Sequence, residues 1–168
     1  MRFSASITVA LCLLFVMFGG TTPPRVNSEI RVNGGSGFGS VGAYAMRFAN
    51  TDVLSGTAVS YVDSAVDGGA FNIYADGVYA ISYTDGNGAG SADYIAVTLN
   101  ASASTRLNAL NYGDVLCRSY MPVNFNAGCS ATVFLRAGDV IRAHRTFGAE
   151  AEPGTNEAAR FIITKLDR

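Results

Sequence analysis

The strongest constraint on this chain is an alternation of large and small side chains with a period of two. Residues Phe71–Tyr83 read FNIYADGVYAISY, and within them Tyr79, Ile81 and Tyr83 alternate with Val78, Ala80 and Ser82. Successive side chains of an extended chain point to opposite faces, so the pattern places three bulky groups on one face of a strand. Burying each of them contributes about 1.5–3 kcal/mol before conformational entropy is subtracted. A strand with that much to bury belongs near the centre of a sheet. Asp76-Gly77 divides the stretch into two runs, and its tolerance of positive φ predicts a tight hairpin turn between them.

Similar short runs recur along the chain at Ala43–Ala49, Thr57–Asp63, Ala70–Ala75, Val78–Thr84, Asp93–Asn100, Val115–Tyr120, Ser130–Arg136, Val140–His144 and Ala159–Leu166. Turn-forming stretches separate them, among them Asp67-Gly68-Gly69, Asp85-Gly86-Asn87-Gly88 and Ala137-Gly138-Asp139. Only Ala101–Leu110 competes as a short helix, and its Ser, Thr and Asn residues favour a loop. With 19 glycines, no tryptophan and 15% charged residues, the composition suits an all-β protein with many turns. An antiparallel jelly-roll β-sandwich of about 8–10 strands is therefore expected. A chain of 168 residues can form it as one domain without covalent staples.

The N-terminal segment reads differently. Residues 1–20 carry Arg2 and then the apolar run Ile7–Phe18, which spans about 18 Å as a helix against about 30 Å of hydrocarbon. A secretory signal peptide is expected, with a retained membrane anchor as the alternative, and membrane contact only through residues 7–18 if they are uncleaved. Residues 21–42 contain Pro23, Pro24 and five glycines and read as a flexible linker, which leaves 43–168 as the folded domain. Beyond residue 20 the chain has eleven basic and thirteen acidic side chains. That balance argues against nucleic-acid binding, which needs a basic surface.

Three blocks resemble the C1q/TNF-like jelly-roll domains, in the order in which that family carries them. Phe71–Ile81 is similar to its F-x-(apolar)-x-x-x-G-(apolar)-Y-x-(apolar) block, Ser130–Ile141 to its strand, Gly-Asp turn and strand, and Ala159–Leu166 to its closing strand, with Phe161 at the recurring aromatic. The likeness covers roughly Ala43 to Arg168. The glycine commonly following that aromatic and the collagen stalk are missing, as in the compact stand-alone members of microbial and virion-surface proteins. The resemblance implies a homotrimer about a threefold axis, a protein or glycan ligand met by exposed loops, and no catalysis. Phe48, Tyr79, Tyr83, Phe134 and Phe161 are the candidates for trimer interface or core, and the loops Asp85–Asp93, Asn108–Asp114 and Thr146–Glu157 for the ligand-facing surface. An exported, secreted or cell-surface binding and adhesion module follows. The rival is a virion-surface or appendage subunit without a soluble ligand.

Candidate chemistry is sparse. Cys117 and Cys129 remain once the leader is removed, and an even pair in an exported chain suggests a disulfide, placed as if across a hairpin, with two buried thiols as the alternative. Arg136, Arg142, Arg145 and Arg160 alternate with apolar positions, as on a solvated strand face. The functional alternative is an anionic-ligand site or an intersubunit ion pair, because arginine forks match carboxylates and phosphates, and Arg136, Arg142, Arg145, Asp85 and Asn87 are the ligand-binding candidates. The loop Asp85–Asp93 starts like a calcium loop but lacks the terminal glutamate and the full spacing, so a glycine-rich hairpin is expected and calcium is the minor alternative. His144, the only histidine, reads as an ordinary strand-end residue, and a single histidine argues against a metal centre or a cupin-like enzyme. Asn100-Ala101-Ser102 fits a glycosylation sequon. No nucleotide-binding, nucleophile-elbow, HExxH or CxxC motif is present.

Overall fold

The computed structural model describes residues 25–40, 43–86, 93–146 and 156–167. Ten strands run through them: β1 (Arg25–Phe38), β2 (Met46–Ser55), β3 (Val59–Ser64), β4 (Gly68–Ile73), β5 (Gly77–Gly86), β6 (Asp93–Leu99), β7 (Val115–Met121), β8 (Asn126–Leu135), β9 (Val140–Arg145) and β10 (Asn156–Asp167). They form two five-stranded antiparallel sheets, ordered β2-β1-β10-β5-β8 and β3-β4-β9-β6-β7. All nine expected strands are present. Ala101–Leu110 is a loop with a 3-10 turn at Leu107–Ala109, as its composition predicts.

The assignment of 21–42 as a flexible linker is corrected by β1. Ile30 and Val32 are fully buried and alternate with Glu29, Arg31 and Asn33, so this segment has a core-facing side. It lies between β2 and β10, with Ile30 opposite Ile163 and Val32 opposite Phe161. Its glycines do not loosen the chain. Gly34 and Gly37 take φ of 68° and 90°, and the register shifts around them mark bulges. The apolar run Ile7–Phe18 lies outside the described residues.

The hairpin expected at Asp76-Gly77 is also corrected. A turn is there, but β4 belongs to the second sheet and β5 to the first, so the chain crosses between layers instead of folding back on itself. The reason is that both runs carry large inward side chains. Phe71 and Ile73 of β4 and Tyr79, Ile81 and Tyr83 of β5 bury most area by facing one another across the sandwich. The corner is fastened by the Tyr79 hydroxyl donating to the Ala75 carbonyl (2.6 Å) and by the Ala137 amide donating to Asp76 (2.8 Å).

Between the sheets lies an aromatic cluster. Phe161 of the first sheet stacks on Phe71 of the second with ring centroids 4.3 Å apart and planes 16° apart. Phe48 meets Tyr83 edge-on and Tyr61 at 6.1 Å. Phe48, Tyr79, Tyr83 and Phe161 are thus core residues, whereas Phe134 is 58% exposed on the outer face of β8. Along one side the Cys117–Cys129 disulfide joins β7 to β8, with Cα atoms 5.7 Å apart. These strands are edges of different sheets and share no ladder, so the bond staples the sandwich and is not a rung across a hairpin.

A chain beginning at residue 43 is expected to lose cooperative unfolding, because β2 and β10 lose the strand between them; circular dichroism in urea, against a chain beginning at residue 21, measures it. Equal midpoints would show that β1 is dispensable. Phe161→Ala should cost about 3–5 kcal/mol in the same assay, through the cavity left at the stack.

Candidate functional site

At one end of the sandwich a buried polar cluster ties the two sheets together. Arg145 closes β9 with the same parity as Ile141 and Ala143, so its side chain enters the space between the layers. There Nε donates to Asp93 (2.8 Å), while Nη1 lies 3.5 Å from Asp85 of the opposite sheet. The Tyr83 hydroxyl donates to Asp85 (2.7 Å), and the Phe38 ring lies 5.9 Å from the guanidinium. Asp93 also accepts from the amides of Tyr94 (2.6 Å) and Thr146 (3.1 Å). Burial pushes the Asp85 carboxyl upward, opposed by Arg145, and holds the Tyr83 phenol well above its ordinary value. Burial also disfavours the Arg145 charge, but Asp85, Tyr83 and Asp93 more than restore it.

This arrangement redistributes the ligand candidates. Asp85 and Arg145 were expected on exposed surface and are instead each other's buried partners, because their strand parity turns them inward. Asn87 lies outside the described residues, as does most of the calcium-like loop. Arg136 is exposed, its amide held by Asp139 in the turn where Gly138 takes φ of 98°. Arg142 is half-buried on the outer face of β9, where burial pushes its guanidinium down and the Asp67 charge opposes this. Its Nε and Nη1 are buried and meet no acceptor. Arg160 stands on β10 of the other sheet, so the four arginines do not form one site. Among the described residues no three His, Cys, Asp or Glu stand together as metal ligands.

His144 is more than a strand-end residue. It is buried on the outer side of β9 beneath the loop after β6, where Nε2 faces the Ser102 carbonyl (3.2 Å) and Nδ1 the Thr98 hydroxyl (2.8 Å). The carbonyl can only accept, so Nε2 carries the proton and Nδ1 accepts from Thr98. Nearby, the sequon asparagine Asn100 holds a turn, donating to Asp139 (2.9 Å) and accepting from the Val140 amide (2.8 Å).

The two outward faces differ in chemistry. On the first sheet, Val78, Ala80 and Ser82 of β5 are flanked by Leu166, Thr164 and Ile162 of β10 and by Phe134, Thr132 and Ser130 of β8. That nine-residue grid contains no charge. On the second sheet Tyr94 and Tyr120 stand opposite one another, rings 5.1 Å apart, and the Arg118 guanidinium lies 4.0 Å over the Tyr94 ring. This second group escaped the sequence reading, since only the β6–β7 register brings its members together.

No protein-family model matches the chain, and no curated protein matches its sequence. Solved structures do. Crystal structures of murine APRIL, a TNF-family jelly-roll protein, superpose with a TM-score of 0.60 at 11% identity (pH 8.0) and 0.60 at 12% (pH 8.5), each covering 83% of this chain and 98% of the other. A third, at pH 5.0, gives 0.58 at 11%. The fold is therefore the TNF/C1q-like jelly roll.

Two outcomes follow from the buried polar groups. Burial holds the His144 imidazole down to about 4 from 6.5, so between these values the unfolded chain binds the proton that the folded chain refuses. Stability is then full above the unfolded value and falls by up to about 3 kcal/mol as pH drops toward the folded one. Asp85, raised by burial, gives the opposite slope in acid, because there the folded chain takes the proton first. His144→Gln should therefore flatten the loss between neutral pH and about pH 4.5, read from urea midpoints, and an unchanged slope would show that His144 is not its source. Arg145→Ala, which strands two buried carboxylates, should cost about 3–5 kcal/mol in the same measurement.

Proposed function

We propose that this chain is an exported homotrimeric binding module that associates through the outer face of its first sheet and presents the opposite sheet and its end loops to a partner at a cell or particle surface. The observation that carries this is the uncharged grid on β10, β5 and β8. Its apolar members Val78, Ala80, Ile162, Leu166 and Phe134 are costly to leave hydrated, and exposed apolar patches mark association sites. Five large aromatics were expected at a trimer interface or in the core. Four of these fill the core, and the proposed self-association surface joins the fifth, Phe134, to Val78, Ala80, Ile162, Thr164 and Leu166.

A binding role also accounts for the polar interior better than a reaction centre does. Asp85 and Asp93 are both paired with Arg145, and both nitrogens of His144 are engaged. A general base or nucleophile needs a free edge toward a substrate. Export agrees with the disulfide, which persists in oxidising compartments.

Light scattering on the size-exclusion peak of the purified chain should give three chains per particle at micromolar concentration. Ala80→Glu puts a charge at the centre of the grid without touching the core, so it should yield a folded monomer. A wild-type monomer would refute the trimer.

A further inference from the structure

The grid accounts for the first sheet, but the proposed function gives no residue-level role to the second, where Arg118, Tyr94 and Tyr120 stand exposed. Tyr94 is 37% and Tyr120 52% exposed, and their rings are tilted by 56°. Arg118 is exposed beside them with its guanidinium stacked on Tyr94, and among the described residues it makes no ion pair. Stacking orients a guanidinium while leaving its N–H edges open, which prepares it to take a carboxylate through two parallel bonds. The platform is held from below. Asp93, fixed by Arg145, accepts the Tyr94 amide, and the Thr146 amide donates to the Tyr94 carbonyl (3.2 Å).

Charge on this face points the same way. The lattice of β7, β6 and β9 sets Arg118 beside Ala96 and His144, and Arg142 beside Thr98 one row along. Arg106, in the loop that covers His144, stacks on Tyr44 and donates Nε to its hydroxyl (2.8 Å). None of these three arginines has an ion-pair partner among the described residues, although Asp67 lies close enough to Arg142 to raise it. A partner that covers the face must bring negative charge, or the guanidinium groups lose water without compensation.

We infer that Arg118, Tyr94 and Tyr120 form the recognition site for an acidic segment of a partner protein, a carboxylate taking the Arg118 fork and an adjacent apolar side chain packing against the exposed surface of the Tyr120 ring. Tyrosine and arginine are the residues that dominate protein–protein contacts, because they cover area at low entropic cost and keep a polar end. An acidic sugar is the weaker fit. The ring face on which a pyranose would stack is already covered on Tyr94 by the guanidinium.

The probe is a fluorescein-labelled peptide in which glutamate alternates with leucine and phenylalanine, titrated by anisotropy against the full-length purified protein. A glutamine-for-glutamate peptide and an oligogalacturonate serve as comparators. Saturable binding that weakens with ionic strength is expected, with affinity lower by about tenfold in Arg118→Gln and by severalfold in Tyr94→Leu and Tyr120→Leu. Arg118→Lys should recover only part of the loss, since a lysine has no fork. Circular dichroism and particle mass should be unchanged in each variant. Absence of binding, equal binding by the glutamine peptide, or equal affinity in Arg118→Gln overturns the site; tighter binding of oligogalacturonate than of the peptide overturns the protein partner. A monomeric chain that still binds through Arg118 refutes only the trimer, so the two ideas fail separately.

Discussion

The structure depends on one contact between layers, the stack of Phe161 on Phe71 and the aromatic rings gathered around it. Each ring arrives on a different strand, and each strand alternates its side chains with a period of two. Fixing the inward position of one residue therefore fixes the outward position of its neighbours along the whole strand. Because Tyr79, Ile81 and Tyr83 face the core, Val78, Ala80 and Ser82 must face out, and the register with β10 and β8 extends that uncharged row into a patch. The core and the outer surfaces are two readings of one alternation.

The Arg145 cluster does a different task at the end of the sandwich. Aromatic packing is tolerant of small sliding movements, whereas a guanidinium reaching one carboxylate on its own sheet and another on the opposite sheet is not. Burying these charges gains little stability in itself, since desolvation opposes the attraction. What the cluster fixes is position. Asp93 bonds to the Tyr94 and Thr146 amides, so the strand that displays the exposed tyrosine is anchored at the point where it leaves the core.

Alternation made most of the fold legible, and its failures have physical causes. The strand at Arg25–Phe38 was hidden because its glycines resemble those of a linker, while only Glu29–Asn33 shows the period of two. Asp76-Gly77 announced a turn correctly, but turn chemistry is local and does not say whether the next strand pairs with the previous one or crosses to the other layer. The inward aim of Arg145 was readable from its parity with Ile141 and Ala143, as was the outward aim of Phe134 between Val133 and Leu135. Arg145 was misjudged because a charge was assumed to face water. The Arg118, Tyr94 and Tyr120 group was beyond reach, because a register that pairs residues more than twenty positions apart is set by the whole sheet.

The two outer faces suit different covers. The uncharged grid gains free energy when a matching apolar surface covers it, and under the proposed function a second copy of the chain supplies that cover, while Glu29, Arg31 and Arg160 stand at the margin of the grid. A face carrying unpaired guanidinium groups loses by the same dehydration unless the covering surface supplies anions, and a copy of itself would bring arginine against arginine. Under the proposed function, that difference favours a partner of opposite sign over a second copy of this chain on β6, β7 and β9. Because the faces lie on opposite layers, assembly through one leaves the other open. The same alternation that packs the core thus sets the uncharged grid and the arginine-bearing face on opposite layers.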